Sequence, residues 1–431
     1  MIRLLYNLLF PLALLLFLPG YALKMFRRGN YREKFGQRLG LYDRETRRAL
    51  SAGRHTWVHA VSVGEVMLAL KLVATMKQRE PALRAALTTT TTTGFALARR
   101  QAPDWMEVIY TPLDFWPVMR RAFALIRPVR IILVEAEVWP NLTAIAHRRK
   151  IPLALVNARL SPRSERRFQK FKALVRPYFQ KLDLVCVQEP EDVARWESLG
   201  VSRTRIQPVG SIKFDPENVE PRPEQPRAVL ETLGIDPVRP ILLGGSTHPG
   251  EEEILARVFQ QLRGEFPSLF LIIAPRHVER AREIANRLRE LGLPPIFRSD
   301  VGAAPAAPDC LLLDTTGELR DWYSVATLVF VGKSLTARGG QNPVEAIVAN
   351  RPVIFGPHME NFARLAHSLV AAGGALQPND EIGLTTAASG LLRDSAERAR
   401  LVRNARGVLD PHRGATRRTA ELVENLRTST A

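Results

Sequence analysis

The sequence predicts an α/β protein with two doubly wound domains, each built on a parallel sheet covered by helices. Two observations support this fold class. From about residue 55 onward, strand-like apolar runs alternate with amphipathic helical segments, a pattern typical of parallel sheets. A stretch rich in proline and acid, FDPENVEPRPEQP at residues 214–226, interrupts the alternation. The 431 residues suffice for two domains, and we expect the strand ends of both to face a central cleft.

The strand-like runs fall into two sets, one on each side of the interruption. In the first half they are TWVHAVS, AALTTTT, VIYTPLD, RIILVEAEVW, LALVNARL and LVCVQEP. In the second half they are PILLGGST, LFLIIAPRH, CLLLDTT, LVFVGKS and PVIFGPH. We therefore predict a first domain over residues 24–213, a linker over 214–226 and a second domain over 227–431, whose last helix can pack back on the first domain.

The N-terminus predicts a membrane anchor over residues 1–23. Residues 4–23, LLYNLLFPLALLLFLPGYAL, contain no charge and are long enough to span a bilayer. A cleaved signal peptide is the alternative, and the helix can either span the membrane or lie in its interface. Six basic residues follow closely, which by the positive-inside rule places the rest of the chain in the cytoplasm: Lys24, Arg27, Arg28, Arg32, Lys34 and Arg38.

The composition limits the partners. The formal net charge of +18 favours an anionic partner, namely nucleic acid, an anionic membrane surface or a phosphorylated substrate. The basic residues are not interleaved with aromatic residues as in a nucleic-acid surface, so we expect no nucleic acid. Cys186 and Cys310 lie in apolar strand-like runs, which favours buried free thiols.

An acid at the end of the first strand is the first candidate for chemistry. In HAVSVGEV, residues 59–66, Glu65 stands where a strand-like run gives way to a helical pattern, and ligands of α/β proteins bind at such joins. The alternative is helix capping by Ser62 or Glu65. The helix dipole is expected to lower the pKa of Glu65 and so weaken it as a base, whereas a neighbouring acid acts in the opposite direction, and the sequence does not fix the balance.

Five further stretches place polar residues after a strand. They are EAEVWPN (135–141), GGSTHPGEEE (244–253), APRHVER (274–280), DTTGEL (314–319) and GKSLTARGGQNPVEA (332–346). Glycines and helix starts in these stretches suit a phosphate or carboxylate. The chain has no P-loop, no HExxH motif, no Cys/His cluster and no Asp-x-Asp pair, so we expect neither a metal nor another cofactor.

Taken together, these stretches resemble one enzyme family. The apolar N-terminus, YREKFGQRLG, HAVSVGE, EAEVWPN, NARLS, GSIKFD, GGSTHPGEEE, APRHVER, DTTGEL and GGQNPVEA occur in this order. The set closely resembles the 3-deoxy-D-manno-octulosonic acid (Kdo) transferases of Gram-negative bacteria. The resemblance implies the GT-B fold with two Rossmann-like domains. It also implies CMP-Kdo as the donor, the lipid A precursor as the acceptor, and a site at the cytoplasmic face of the inner membrane.

The resemblance also assigns roles to residues. It implies that Glu65 is the general base and that Glu137 and Lys213 support the transition state or bind the sugar acid. The positions implied for the CMP moiety are Pro275, Arg276, Thr316, Gly317, Glu318, Asn342, Pro343, Val344 and Glu345. Two positions depart from the family pattern, Ala136 where threonine is usual and Gln341 where histidine is frequent.

Two other functions fit parts of the sequence. A GT-B transferase or epimerase that uses a UDP-sugar would keep the fold and change the chemistry. A basic scaffold docked on a membrane would bind anionic lipid or nucleic acid without turnover, with an affinity that falls steeply as salt is added.

Overall fold

The computed structural model describes residues 2–28, 34–215, 221–236, 238–302 and 308–426. The centre of the predicted linker, residues 216–220, lies outside the described residues. So does Arg32, one of the six basic residues that follow the apolar N-terminal segment. The described chain forms two compact units. The first unit comprises Met1–Asp215 together with His412–Ala431, and the second comprises Pro216–Pro411.

The first unit is built on a parallel sheet. Within the described residues the sheet has seven strands in the order β3-β2-β1-β4-β5-β6-β7. The strands are β1 (His55–His59), β2 (Ala85–Thr89), β3 (Met106–Tyr110), β4 (Pro128–Val134), β5 (Leu153–Ala158), β6 (Leu184–Val187) and β7 (Ile206–Pro208).

Helices cover both faces of this sheet. They are α1 (Ile2–Arg28), α2 (Arg44–Ser51), α3 (Val63–Arg79), α4 (Thr92–Gln101), α5 (Trp116–Ile126), α6 (Pro140–Arg148), α7 (Pro162–Lys170), α8 (Lys172–Phe179) and α9 (Asp192–Ser198). Because successive strand side chains point to opposite faces, Trp57 enters one core with Phe123, and Val58 enters the other with Leu72. Both faces are therefore buried, as parallel sheets require.

The start of α1 packs against the first unit through polar contacts. Arg3 Nε and Asn7 Nδ2 donate to Asn141 Oδ1 at 3.1 and 3.0 Å, and the Phe10 ring stacks on Phe115 with centroids 5.4 Å apart. Other apolar side chains of α1 are exposed, among them Leu4, Leu8, Leu12, Leu15 and Leu16. Among the described residues, no helix combines the length and the apolar character needed to cross a membrane.

The second unit is built on another parallel sheet. Its seven strands, within the described residues, run in the order β10-β11-β9-β8-β12-β13-β14. They are β8 (Ile241–Thr247), β9 (Phe270–Pro275), β10 (Ile296–Phe297), β11 (Cys310–Leu312), β12 (Leu328–Val331), β13 (Val353–Phe355) and β14 (Ala375–Leu376).

The helices of the second unit enclose its sheet. They are α10 (Glu224–Thr232), α11 (Glu251–Arg263), α12 (Ala281–Glu290), α13 (Leu319–Tyr323), α14 (Val344–Val348), α15 (Ala363–Ala371), α16 (Glu381–Arg393) and α17 (Ser395–Leu409). One core joins Leu242 and Phe330 of the strands to Phe259 and Leu391 of the helices. The last helix, α18 (Ala415–Glu424), belongs to the first unit and packs against α3.

The predicted α/β class with two parallel sheets is confirmed. Each strand-like run of the sequence forms a strand of the expected sheet. The structure adds β7, β10 and β14, which are three, two and two residues long. Cys186 and Cys310 are buried as free thiols.

Candidate active site

In each sheet some of the candidate residues follow the two strands between which the strand order reverses. In the first unit the reversal lies between β1 and β4, and in the second between β8 and β12. The loops after neighbouring parallel strands diverge at such a point and leave a crevice in which ligands bind. Glu65 follows β1, and Glu135 and Glu137 follow β4. His248 follows β8, and Lys333 follows β12.

The carboxylate of Glu65 is held at the start of α3 by two hydrogen bonds. The Val61 backbone N–H donates to Glu65 Oε2 at 2.8 Å, and Ser62 Oγ donates to Glu65 Oε1 at 2.9 Å. Ser62 is the N-cap of α3 and its Oγ accepts from the Glu65 backbone N–H at 3.4 Å. The capping role is therefore observed, and it fixes the orientation of the carboxylate.

The environment of Glu65 raises its pKa to about 7. Burial is the largest cause, because removal of water disfavours the charged form. The hydrogen bonds from Val61 and Ser62 lower the pKa, and the nearby carboxylates of Glu135 and Glu137 raise it. The contacts at the helix start lower this pKa, but burial of the carboxyl group, which is only 9% exposed, outweighs them, so the net shift is upward.

Two more candidate residues share this edge of the first sheet. Burial raises the pKa of Glu137, with the Glu135 carboxylate raising it further, while Trp139 and Arg167 lower it. Burial lowers the pKa of Lys213, and the charge of Glu135 opposes that effect. The structure thus brings Glu65, Glu137 and Lys213 into one electrostatic neighbourhood centred on Glu135. Glu135 itself has a φ of 62°, a left-handed conformation that non-glycine residues seldom adopt.

The segment that carries Lys213 is anchored on both sides. The Ile212 backbone N–H donates to Asn157 Oδ1 at 3.1 Å, and Lys71 Nζ donates to the Asp215 carbonyl at 2.6 Å. The Asp215 carboxylate accepts from the Gly414 and Thr416 backbone N–H groups at 2.7 and 2.8 Å. These contacts hold Lys213 in place relative to the sheet and to the start of α18.

In the second unit a buried acid fastens two loops together. Glu251, fully buried at the start of α11, accepts backbone N–H groups of His248, Lys333, Ser334 and Leu335 at 2.7 to 3.0 Å. The sequence suggested that the helix start after GGSTHPG suits a phosphate. The structure shows that Glu251 already uses the His248 N–H, so the acid holds the loop after β8 to the loop after β12.

A cluster of basic side chains surrounds His248. The rings of His248 and His277 lie 5.8 Å apart at nearly a right angle. Burial lowers the pKa of His248 to about 4, and the charges of Lys333, Arg280 and Arg276 lower it further. A neutral histidine among cations indicates a positive local field, which suits an anionic ligand. The sequence stretches named His248, Arg276 and His277, but Lys333 stood out only in the structure.

The remaining donor candidates follow β11 and β12. Thr316 and Gly317 are exposed, and Glu318 accepts from Arg298 Nε at 3.2 Å and Trp322 Nε1 at 3.3 Å. Asn342 Oδ1 accepts the Val344 backbone N–H at 3.1 Å, and α14 is five residues long. The helix start near Asn342 is therefore a weaker anion-binding position than the sequence suggested. The Asn342 side chain already accepts the first free backbone N–H, and the dipole of so short a helix is small.

In the part of the chain that the structure describes, no group of three or more His, Cys, Asp or Glu residues has an arrangement suited to a metal ion.

Comparisons with known proteins identify this fold. The glycotransferase of kitacinnamycin, a solved structure, is 15% identical and covers 86% of this chain and 99% of its own, with a TM-score of 0.53. That likeness concerns the fold, which is the GT-B fold of glycosyltransferases. The class that the fold defines is therefore that of GT-B proteins.

Sequence relatives narrow the class. The family described as "3-Deoxy-D-manno-octulosonic-acid transferase (kdotransferase)" matches residues 33–216. The 3-deoxy-D-manno-octulosonic acid transferase of Haemophilus influenzae is 33% identical over 91% of each chain. The enzyme of the same name from Bordetella pertussis is 36% identical over 86% of each chain. The chain belongs to the 3-deoxy-D-manno-octulosonic acid transferase family and is a glycosyltransferase.

Proposed function

We propose that the enzyme transfers Kdo from CMP-Kdo to a sugar hydroxyl of the lipid A precursor, a step of lipopolysaccharide biosynthesis, with inversion and without a metal ion. The observation that supports this most strongly is the fixed carboxylate of Glu65, whose pKa of about 7 suits a general base at neutral pH. The proposal assigns acceptor activation to the first unit and donor binding to the second.

The reaction assigns one task to Glu65. The acceptor oxygen forms a bond to the anomeric carbon of Kdo, while the bond from that carbon to the phosphate of CMP breaks with its electron pair. Glu65 takes the proton of the hydroxyl, which accelerates such reactions by roughly 10²–10⁴-fold. Attack from the face opposite to CMP inverts the anomeric centre. Lys213 and Glu137 position the sugar acid, with the Lys213 ammonium facing its carboxylate.

Charge stabilisation on the leaving group is the task of the second unit. CMP departs with negative charge on its phosphate, and Arg276 and Lys333 supply cations where that charge develops. The loop at Thr316–Glu318 and the run from Asn342 to Glu345 contact the rest of the CMP moiety. Pro275 ends β9 and directs Arg276 out of the sheet.

The N-terminal helix associates with the membrane in this proposal. The polar contacts of Arg3 and Asn7 hold one face of α1 on the first unit, and the exposed leucines form another face. An apolar face on an otherwise docked helix favours association with the inner membrane, on its cytoplasmic side. The net charge of +18 favours an anionic lipid surface and a phosphorylated acceptor.

The test is release of CMP from CMP-Kdo by the detergent-solubilised enzyme, with and without the tetra-acylated lipid A precursor, followed by mass analysis of the lipid. We expect release that depends on the acceptor, lipid masses increased by one or more Kdo units, and the same rate after addition of EDTA. Release that is no faster with lipid than without would refute the proposal, and the assay would then be repeated with UDP-sugars to test that alternative.

A further inference from the structure

A cavity of about 310 Å³ lies in the first unit beside the start of α1. Its walls come from α1, from the residues around the start of α6, and from α7 and α8, and they are almost entirely apolar. The lining includes Leu5, Leu9, Val138, Phe168 and Leu174. The cavity is distinct from the Glu65 site and from the donor site, since none of those residues lines it.

The position of the cavity follows from how α1 is oriented. Arg3, Asn7 and Phe10, spaced three or four residues apart, face the protein. Leu4, Leu8 and Leu12 share the same spacing and are 63 to 76% exposed. Leu5 and Leu9 lie between these two faces, and they are the α1 residues that open the cavity toward the exposed leucines. An apolar chain on the leucine face can therefore enter the cavity without crossing a polar surface.

Two residues that line the cavity adjoin, in the chain, residues of the candidate acceptor site. Val138, in its wall, follows Glu137 directly in the chain. Phe168, another lining residue, follows Arg167, whose charge acts on the carboxylate of Glu137. A ligand that fills the cavity thus has its polar end near Glu137 and Arg167.

The surface around the cavity is strongly basic. Helix α7 exposes Arg163, Arg166, Arg167 and Lys170. Phe171 and Leu174, at the start of α8, are 47 and 49% exposed beside them. Cations next to an apolar opening complement a molecule with phosphate groups on its sugar and hydrocarbon chains below.

We propose that this cavity binds one acyl chain of the lipid acceptor and thereby sets which acceptors are used. The inference rests on the proposed function for its choice of ligand. Burial of each methylene contributes about fourfold to affinity. The cavity therefore selects acylated acceptors over their deacylated forms, and α1 is part of the substrate site in addition to its association with the membrane.

The experiment compares two tryptophan substitutions on the same helix. Leu5→Trp fills the cavity opening, whereas Leu8→Trp adds the same bulk to an exposed position that does not line it. Leu174→Trp fills the cavity from α8. For each protein, binding of the tetra-acylated lipid A precursor and of its fully deacylated form is measured at one fixed detergent concentration, without donor, and transfer from CMP-Kdo is measured separately.

We expect wild-type enzyme to prefer the tetra-acylated form, and Leu5→Trp and Leu174→Trp to reduce that preference on the order of tenfold, the worth of about two methylenes. Leu8→Trp should retain the wild-type preference. The cavity proposal is overturned if all three substitutions act alike, or if wild-type enzyme binds both forms equally. If acyl selectivity follows the cavity but no Kdo is transferred, the cavity proposal stands and the proposed function fails.

Discussion

Ser62 Oγ donates a 2.9 Å hydrogen bond to Glu65 Oε1 and, at 3.4 Å, accepts one from the Glu65 backbone N–H. The two residues therefore close a ring at the first turn of α3. The ring turns the carboxylate back toward the end of β1 and leaves it little rotational freedom. A helix cap and an oriented general base are here the same arrangement, because the contacts that satisfy the helix start also fix the acid.

Ser62→Ala should shift the acidic limb of the pH–rate profile to higher pH. The Ser62 hydrogen bond lowers the pKa of Glu65, so its loss leaves the carboxyl group protonated over a wider range. The lost cap should also reduce the free energy of unfolding by about 1 kcal/mol. The measurement is kcat/KM for the acceptor as a function of pH. Ser62→Thr, which retains the hydroxyl, should restore the wild-type limb, and a drop in rate without a shift would indicate a purely structural role.

The wild-type enzyme should lose activity below about pH 7. Glu65 acts as a base only when deprotonated, and its pKa is raised to about 7. The value of kcat/KM should therefore fall about tenfold for each pH unit below that value. CMP-Kdo binding, measured in the same buffers, is the control, because His248 has a pKa of about 4 and stays neutral above pH 5. A rate that stays flat down to pH 5 would exclude Glu65 as the base.

Glu251→Ala should destabilise the second unit by about 3 to 5 kcal/mol, because four backbone N–H groups would lose a buried, charged acceptor. Thermal unfolding followed by circular dichroism measures this, and CMP-Kdo binding should weaken as the loops after β8 and β12 separate. The control is Glu253→Ala on the same helix. Glu253 pairs with the exposed Arg287, so its loss should cost at most about 1 kcal/mol. Equal effects of the two changes would show that Glu251 does not fasten the loops.

Arg276→Ala should weaken CMP-Kdo binding by about 10- to 100-fold, the worth of a hydrogen bond to a charged group. The side chain is exposed, so the melting temperature should change little. Isothermal titration with CMP-Kdo provides the measurement. Arg282→Ala removes another exposed arginine, at the start of α12, and should leave binding unchanged. If both variants lost a similar amount of CMP-Kdo affinity, Arg276 would contribute only to the general positive field and would make no specific contact with the donor.

The sequence predicted the strands that are marked by a clear apolar run and missed those that are not. Buried parallel strands such as β9 are continuous apolar runs, so their positions were evident from the sequence. The strands β10 and β14 have two residues each and form because neighbouring strands offer hydrogen bonds at the sheet edge. Such strands have no periodicity of their own, and no pattern in a single sequence marks them.

The candidate site was predictable in its residue types but not in its electrostatics. Acids after a strand singled out Glu65 and Glu137, whereas the pKa of Glu65 depends on burial by distant parts of the chain and on its proximity to Glu135. The role of Glu251 in holding two loops together could not be predicted for a similar reason. Three of its four N–H partners lie more than 80 positions away in sequence, and an acid at a helix start looks the same whether it faces solvent or a buried loop.

The most direct test of the account is the Glu65→Gln variant, assayed both for CMP-Kdo binding and for Kdo transfer to the lipid A precursor. Glutamine keeps an acceptor for the Val61 N–H and removes the base. The account predicts donor binding within about twofold of wild type and transfer reduced by roughly 10²–10⁴-fold, with Glu45→Gln, an exposed acid in the first turn of α2, showing wild-type transfer. Retention of transfer in Glu65→Gln, or loss of folding in that variant, would contradict the central claim and leave Glu65 a helix cap.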